Sequence, residues 1–496
     1  MRIPPRERNY KVITGSWIAM ALVSCAALAA CAEMGPNLLE VYPDAAARRH
    51  RPVIIVPGAF GSRLRNVETG EVVWGRFSNL LSSRFKLILN PSNASSDLLD
   101  LPIDSADLSQ NRDNLVAYSL FDEVGGRAFY RAIVRTLTDV AGYKVGDIEN
   151  PQPDQDCFAF YYDWRRDIPE NARLLGEAID RVLAARPGGD GRVDIIAHSL
   201  GGLVTRYYLK YGVEDVAKGQ GAIRPTNAGA RRIETVVLLG VPSEGSLDTF
   251  TSLNEGWRLV RRLPAELIFT MPAAYQGLPH PESGPFIDAN GTRLDVDLYD
   301  PAVWEEYGWS IFSPARLESL RQESRRQFDK GEAGARYSER LERMRAFLKA
   351  ALARARRVHL ALDTEDRESA DGTRVFAFGG DCIPTPARAM ILPDGKGRFR
   401  TVMHLDDVPD KVRTQRIARL MSEPGDGSVT RGSLLAMNTA GAKTSPGLKI
   451  DYALFLCDRH RNLTENVTFQ DNLLHFLLYN GHPMRTDAAG GAGSSK

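Results

Sequence analysis

Asp194-Ile195-Ile196-Ala197-His198-Ser199-Leu200-Gly201-Gly202-Leu203 is the stretch whose reading decides the fold. An apolar, β-branched run from Val193 to Ala197 enters a turn of small residues with a serine at its tip. A helical pattern from Leu203 to Tyr211 leaves it. Ala197 and Gly201 let strand and helix approach closely while Ser199 takes a strained backbone. That strain lifts the hydroxyl clear of the sheet and turns the following N–H groups towards a developing negative charge. The motif reads A-x-S-x-G, with Ala197 where a first glycine is usual. Strand before and helix after make it a nucleophile elbow.

Working outward, Pro52-Val53-Ile54-Ile55-Val56 reads as a fully buried strand that ends in Pro57-Gly58-Ala59-Phe60-Gly61-Ser62. Further strands are expected at 158–164, 235–240, 374–378 and 452–456, and helices at 126–141, 169–185 and 467–479. Alternating strands and helices predict a parallel sheet covered on both faces. With the elbow, that is an α/β-hydrolase fold carrying an inserted cap and a lid. The expected organisation is a signal peptide at 1–30, a linker at 31–51, and a first core segment at 52–245 with a lid-like, irregular stretch at 76–125. A cap follows at 246–357, without a clear buried strand and with a charged helical stretch from about 315. A second core segment runs over 358–482, with a hairpin at 386–407, and a low-complexity tail over 483–496.

Composition sets bounds. The chain has 496 residues, 43% hydrophobic and 25% charged, ample for a full core. A net charge of +1 offers no electrostatic case for nucleic acid. There is no P-loop, paired C-x-x-C or H-E-x-x-H, so neither a metal nor a nucleotide cofactor is expected. Arg2, Arg6, Arg8 and Lys11 precede an apolar run from Val12 to Ala30, which closes in Leu28-Ala29-Ala30-Cys31. This resembles a bacterial lipobox, in which Cys31 is lipidated and becomes the new N-terminus. Leu22-Val23-Ser24-Cys25 is a weaker second site, and a plain secretory signal or uncleaved anchor is the alternative. Ala32 after Cys31, rather than aspartate, leans towards the outer membrane. Export implies an oxidising compartment. Cys382 and Cys457 each end an apolar run, so neighbouring strands would bring them together as a disulfide; with Cys157, three free thiols is the other reading.

A serine nucleophile needs a base to take its proton and an acid to orient that base, in the chain order serine, acid, histidine. His460, His475 and His482 lie late enough in the chain. His460 directly follows the last strand, where a loop at the sheet edge hangs it over Ser199; His475 falls in a helical apolar pattern that suits packing. For the acid, Asp381 in Gly379-Gly380-Asp381-Cys382 ends a strand and has the simplest topology, while Asp426 in Glu423-Pro424-Gly425-Asp426-Gly427-Ser428-Val429 sits in a tight turn before an apolar run; an ordinary surface turn is the other reading of each, and spacing leaves them level. The backbone N–H groups of Leu200 and Ala59 are the expected oxyanion donors.

These motifs, in order, resemble the lecithin–cholesterol acyltransferase family, which includes lysosomal phospholipase A2 and bacterial lipases. Val56-Pro57-Gly58-Ala59-Phe60-Gly61-Ser62 is similar to its opening strand and turn, and Tyr162-Asp163-Trp164-Arg165 to its Y-D-W-R signature. Ala197 to Gly201 is similar to its elbow, and Gly240 to Ser246 and Pro272 to Pro279 to two further motifs. Gly425-Asp426-Gly427-Ser428-Val429 resembles the G-D-G-T-V that carries the family's acid. The likeness runs from about 52 to 480. It implies Asp426 over Asp381, His460 as base, and a lipase, phospholipase or O-acyltransferase acting on lipid esters at a membrane surface. Water or an alcohol, including a sterol-like one, would accept the acyl group. Val241 and Gly277 depart from the family pattern, and the segment after Trp74 is only loosely similar, so the substrate carries over less firmly than the triad. Within Y-D-W-R, a buried Asp163–Arg165 pair bracing the sheet edge competes with substrate contact. Rival readings are a carboxylesterase on small soluble esters and a non-catalytic envelope protein that keeps the fold as a scaffold. Phe77, Leu80, Leu81, Phe85, Leu87, Trp257, Phe269 and Trp304 are expected in lid and cap, set against a lipid surface or packed into the cap.

Overall fold

The structure is a computed structural model and describes residues 36–48, 50–75, 99–105, 107–121, 123–124, 127–128, 130–258, 262–364, 372–395, 397–437 and 449–479. Cys31, the expected signal peptide and tail, and the lid residues Phe77, Leu80, Leu81, Phe85 and Leu87 lie outside them. Residues 1–43 form one unit and 44–496 another. In the first, a short helix, Leu38–Val41, is capped by the Asn37 side chain.

The second unit is built on one seven-stranded sheet. In chain order its strands are β1 (Val53–Val56), β2 (Val145–Gly146), β3 (Cys157–Ala159), β4 (Val193–His198), β5 (Ile233–Leu239), β6 (Arg374–Gly380) and β7 (Tyr452–Leu456). They lie in the order β7-β6-β5-β4-β1-β3-β2. Every pairing is parallel. β4 is central, with Ile196 registered against Ile55 of β1 and Val237 of β5. All six of its residues are buried. A strand buried on both faces needs apolar residues at successive positions rather than alternate ones, and Ile195-Ile196-Ala197 meets that need. Each isoleucine so buried contributes roughly 1.5–3 kcal/mol. The arrangement is an α/β-hydrolase fold.

Helices cover the sheet. α1 (Ile168–Ala184) packs against α2 (Leu200–Tyr211), which leaves the elbow directly. Two expected elements come out shorter. The strand foreseen over 158–164 ends at Ala159. Beyond it, Tyr162 N–H donates to Ser62 Oγ and the Trp164 indole to the Ser62 carbonyl, so these residues leave the ladder to bond the turn after β1. The helix foreseen over 126–141 is regular only over Arg131–Arg135, then widens into a π-type turn over Thr136–Val140.

The region from 246 onward is mostly helical: α3 (Leu247–Glu255), several short helices, and α4 (Ala333–Asp363). α4 buries Met344, Phe347, Leu348, Ala351, Leu352, Ala355, Val358 and Leu362, a stripe at helical spacing. The helix runs unbroken past residue 357. A two-residue buried strand, Phe286–Ile287, pairs in parallel with Ala389–Met390. It is too short to show a strand period in the sequence. Phe269 and Trp304 are fully buried, in a cluster of edge-to-face and tilted rings with Phe250, Tyr275, Trp309 and Phe347. They fill the cap's own core and present nothing to a lipid surface, whereas Trp257 stays partly exposed. Among the described residues no helix is long and apolar enough to cross a membrane.

Candidate active site

The reactive groups hang from the C-terminal ends of the strands, where open parallel sheets place their ligands. Ser199 follows β4 with φ 52° and ψ −125°, a backbone that a residue with a side chain rarely adopts. Such a conformation costs about 1–3 kcal/mol and persists only where its surroundings enforce it. Here β4 runs in and α2 runs out, and Ser199 N–H donates to Leu239 O of β5 at 2.9 Å.

His460 stands four residues after β7, opening a 3₁₀ turn over His460–Glu465. Its Nε2 lies 3.0 Å from Ser199 Oγ and its Nδ1 2.8 Å from Asp426 Oδ2. Because a carboxylate only accepts, Nδ1 carries the proton and the Nε2 lone pair faces the serine. A backbone bond from His460 N–H to Asp426 O, 2.9 Å, ties the two loops together. β5 is followed by Gly240 at φ 57°; a Cβ there would sit 2.9 Å from His460 Nδ1, so only glycine leaves the imidazole its place.

Asp426 caps a small antiparallel ribbon, Ile383–Pro386 with Ser422–Gly425, that starts beside the Cys382–Cys457 disulfide. That disulfide joins the ends of the neighbouring strands β6 and β7. The second oxygen of Asp426 accepts the N–H groups of Ser428, 2.9 Å, and Val429, 2.7 Å. Burial opposes ionisation of this carboxyl, but His460 and the two amides outweigh it and hold it below the usual carboxylate range. Burial likewise opposes a charge on His460, yet the facing Asp426 carboxylate and its hydrogen bond win, and the imidazole titrates above the ordinary histidine value. Asp381 makes no bond to His460; its carboxylate lies 3.9 Å from Arg431. His475 stacks on Tyr479 within the closing helix, Val467–Tyr479. Cys157 is a buried free thiol on β3.

Ser199, His460 and Asp426 open into a cavity of about 670 Å³. Ala59 and Leu200 also line it, and neither of their N–H groups has an acceptor among the described residues. α2 begins at Leu200, so the positive end of its dipole faces the same space. One wall is apolar, with Phe60, Phe121, Trp164, Trp257, Ile268 and Met271. The other is ionisable. There His404 pairs with Glu255 at 3.1 Å, and Asp248, whose carboxyl pKa is pushed up by burial, adds a third titratable group. Arg459 stands beside His460 on the same cavity. Asp248, Glu255 and His404 belong to no motif, and only their meeting in space marks them. Arg165 lies away from the cavity, wholly buried between Asp163, 2.7 Å, and Asp113, 2.6 Å. It is a brace.

Comparison with known proteins adds a likeness to this geometry. The family model of lecithin:cholesterol acyltransferase matches residues 132–259, a segment that contains the elbow. The resemblance to that family holds. A curated relative, the lysosomal phospholipase A and acyltransferase of Canis lupus familiaris, is 27% identical over 244 residues, covering 44% of this chain and 54% of the relative. The chain thus spans about half the length of that relative. Of solved structures, a Tle4–Tli4 complex is similar at 15% identity and a TM-score of 0.49, covering 86% of this chain and 98% of that one. Lipase B of Aspergillus fumigatus is similar at 12% identity and a TM-score of 0.22, covering 62% and 64%. The family match stops before Asp426 and His460, so the link between these residues and the elbow rests on the distances above.

Proposed function

We propose that the protein is a serine-dependent lipid acyl hydrolase and O-acyltransferase. The observation that carries this reading is the chain Ser199 Oγ, His460 Nε2, His460 Nδ1, Asp426 Oδ2, at 3.0 and 2.8 Å, open to a cavity of about 670 Å³. Likeness to a lysosomal phospholipase A and acyltransferase supports the substrate class.

Ser199 attacks the ester carbonyl while His460 Nε2 takes its proton. The imidazolium so formed is stabilised by Asp426, whose own charge two backbone amides hold in place. The carbonyl oxygen becomes an oxyanion and receives the N–H groups of Leu200 and Ala59. His460 then returns the proton to the leaving alcohol, which departs with its oxygen and leaves an acyl group on Ser199. A second hydroxyl, from water or an alcohol, gives its proton to His460 and attacks the acyl carbon, and Ser199 leaves protonated. The apolar wall around Trp164, Trp257 and Met271 suits an acyl chain, and the Asp248–Glu255–His404 wall a polar group.

In this reading Cys31 is lipidated after export and holds the enzyme at a membrane, the outer one in a bacterium with two. More than one attached chain makes such anchoring stable. Metabolic labelling with a clickable fatty acid tests this part: label lost in Cys31→Ser supports it, and label retained opposes it. For the activity, product analysis by mass spectrometry on mixed phospholipid vesicles, with and without a long-chain alcohol, is the direct test. Released fatty acid, and a new ester when alcohol is present, support the reading; neither product, with hydrolysis of short soluble esters intact, replaces it with a carboxylesterase.

A further inference from the structure

One peptide plane near the nucleophile is held on both sides by phenols. Tyr162 Oη donates to the carbonyl of Pro57 at 2.7 Å. The N–H of the next residue, Gly58, donates to Tyr130 Oη at 2.8 Å. In a trans peptide the C=O and N–H point to opposite sides, so the two hydroxyls grip the Pro57–Gly58 plane from both. Tyr130 and Tyr162 are buried, and burial keeps both phenols protonated well beyond the ordinary tyrosine range. Turning this plane would strand buried polar groups without partners.

Tyr130 reaches further. Since it accepts from Gly58, its own proton is free for His198 Nδ1, 2.8 Å away. His198 is the residue before the nucleophile, and burial, then the nearby His460, push its pKa down to about 3. It is therefore neutral, with its proton on Nε2. One hydroxyl thus joins the turn after β1 to the elbow.

That turn has no slack. A Cβ on Gly58 would come within 2.7 Å of Ser199 Cβ, so the plane lies directly on the nucleophile. The turn closes by Gly61 N–H to Gly58 O at 3.0 Å. Inside it Phe60 sits at φ 64°, left-handed and not glycine. Its ring stacks on Trp257 with centroids 3.9 Å apart, and its carbonyl accepts the Trp74 indole at 3.0 Å. With the Gly58 N–H committed to Tyr130, the next one, Ala59, is the group left for a substrate.

We infer that Tyr130 and Tyr162 are positioning residues that fix the Pro57–Gly58 peptide and through it aim the Ala59 N–H at the reacting carbonyl oxygen. The inference rests on the acyl-transfer reading above. Tyr130 borders the cavity, but its hydroxyl is committed to Gly58 N–H and His198 Nδ1, and that of Tyr162 to the Pro57 carbonyl, so both hydroxyls act by holding the turn.

The test uses the full chain and a short soluble ester, comparing Tyr130→Phe, Tyr162→Phe and the double variant with wild type. Tyr211→Phe is the control, because it removes a similar buried bond, to Ala361 O at 2.8 Å, in the helical layer. Titration with a fluorophosphonate counts live sites, so partial unfolding lowers the titre and leaves kcat per site alone. Each single variant is expected to lower kcat per site about 10–100-fold, short of deleting an oxyanion donor outright, with KM within about twofold. Affinity for a boronic acid, which forms a tetrahedral adduct on the serine, should fall in step with kcat/KM. The double variant should lose less than the product of the singles, because both hydroxyls grip one plane. Tyr211→Phe should keep wild-type kcat. Single variants that keep kcat and boronate affinity within about twofold of wild type overturn the inference, and should Tyr130→Phe not fold, Tyr162→Phe decides alone. A wild type that is neither labelled nor active on the ester overturns the acyl-transfer reading instead.

Discussion

The sheet side and the cap side of the cavity are built in different ways. On the sheet side, every reactive group stands within a few residues of a strand end, and its position is set several times over. Ser199 is held by β4, α2 and a bond to β5, while His460 is held by Asp426 through both side chain and backbone. On the cap side, the walls come from α3, short helices, and Trp257 on a two-residue strand paired with Arg262–Leu263. Its large aromatics, Phe269 and Trp304 among them, are spent on holding the cap together. On the acyl-transfer reading, the difference amounts to a division of labour: over-determined strand ends carry the chemistry, and a helical layer shapes what enters.

If that division is right, substitutions on the sheet side should hit kcat and those on the cap side should hit selectivity. Ser199→Ala and His460→Ala are expected to lower kcat by about 10⁴–10⁶-fold while the melting temperature stays near wild type. Steady-state kinetics with calorimetry checks both halves. Residual activity in His460→Ala that vanishes in His475→Ala would move the base elsewhere and break the comparison at its strongest point.

Asp426→Asn should cost roughly 10⁴-fold, since an amide no longer sets the tautomer of His460. It should also move the pH profile. His460 acts as base only when neutral, and Asp426 holds its pKa above the ordinary value of 6.5. Wild-type activity should therefore rise with pH through a midpoint above 6.5. Without the carboxylate, burial dominates and the midpoint should fall. Asp381→Asn should leave both rate and midpoint within about twofold of wild type, since outside such machinery a surface substitution changes little. A midpoint unmoved in Asp426→Asn contradicts the assignment.

Trp257→Ala sharpens the cap side. Losing a ring from the apolar wall should raise KM for a long-chain ester about tenfold, an energy in the range of one buried apolar side chain. KM for a two-carbon acyl ester should change little. An equal loss on both substrates would make Trp257 part of the chemistry rather than of selection. The smallest effect on rate is expected from Cys382→Ser with Cys457→Ser. Cross-linking positions 75 residues apart should contribute about 2–4 kcal/mol to stability, read as a lower denaturation midpoint, while kcat stays within a few-fold.

Six of the seven sheet strands and the elbow were legible because buried parallel strands leave apolar runs that need no partner to be recognised; the edge strand Val145–Gly146, two residues long and not buried, leaves no such run. His460 was legible by elimination, as the histidine directly after the last strand. Asp426 was not separable from Asp381 by spacing, as each lies beside glycines in a turn that suits an exposed acid. What separates them is the ribbon from Ile383 to Pro386, which carries the chain past Asp381 and returns Asp426 to His460. Only a family motif registers that excursion in sequence. Tyr130 escaped notice because its role lies in hydrogen bonds to residues 72 and 68 positions away. Trp304 and Phe269 read as apolar in an unpatterned region, and composition there does not tell a packed ring from an exposed one.

The measurement that tests the central claim most directly is peptide mapping of the trapped acyl-enzyme. The protein would be mixed with an activated ester, quenched in acid within the first turnovers, digested and weighed by mass spectrometry. The account predicts one added acyl group on the peptide containing Ser199, accumulating in a burst and absent from Ser199→Ala. An acyl group on another residue, or turnover of the ester that persists in Ser199→Ala with no acylated peptide, would contradict it.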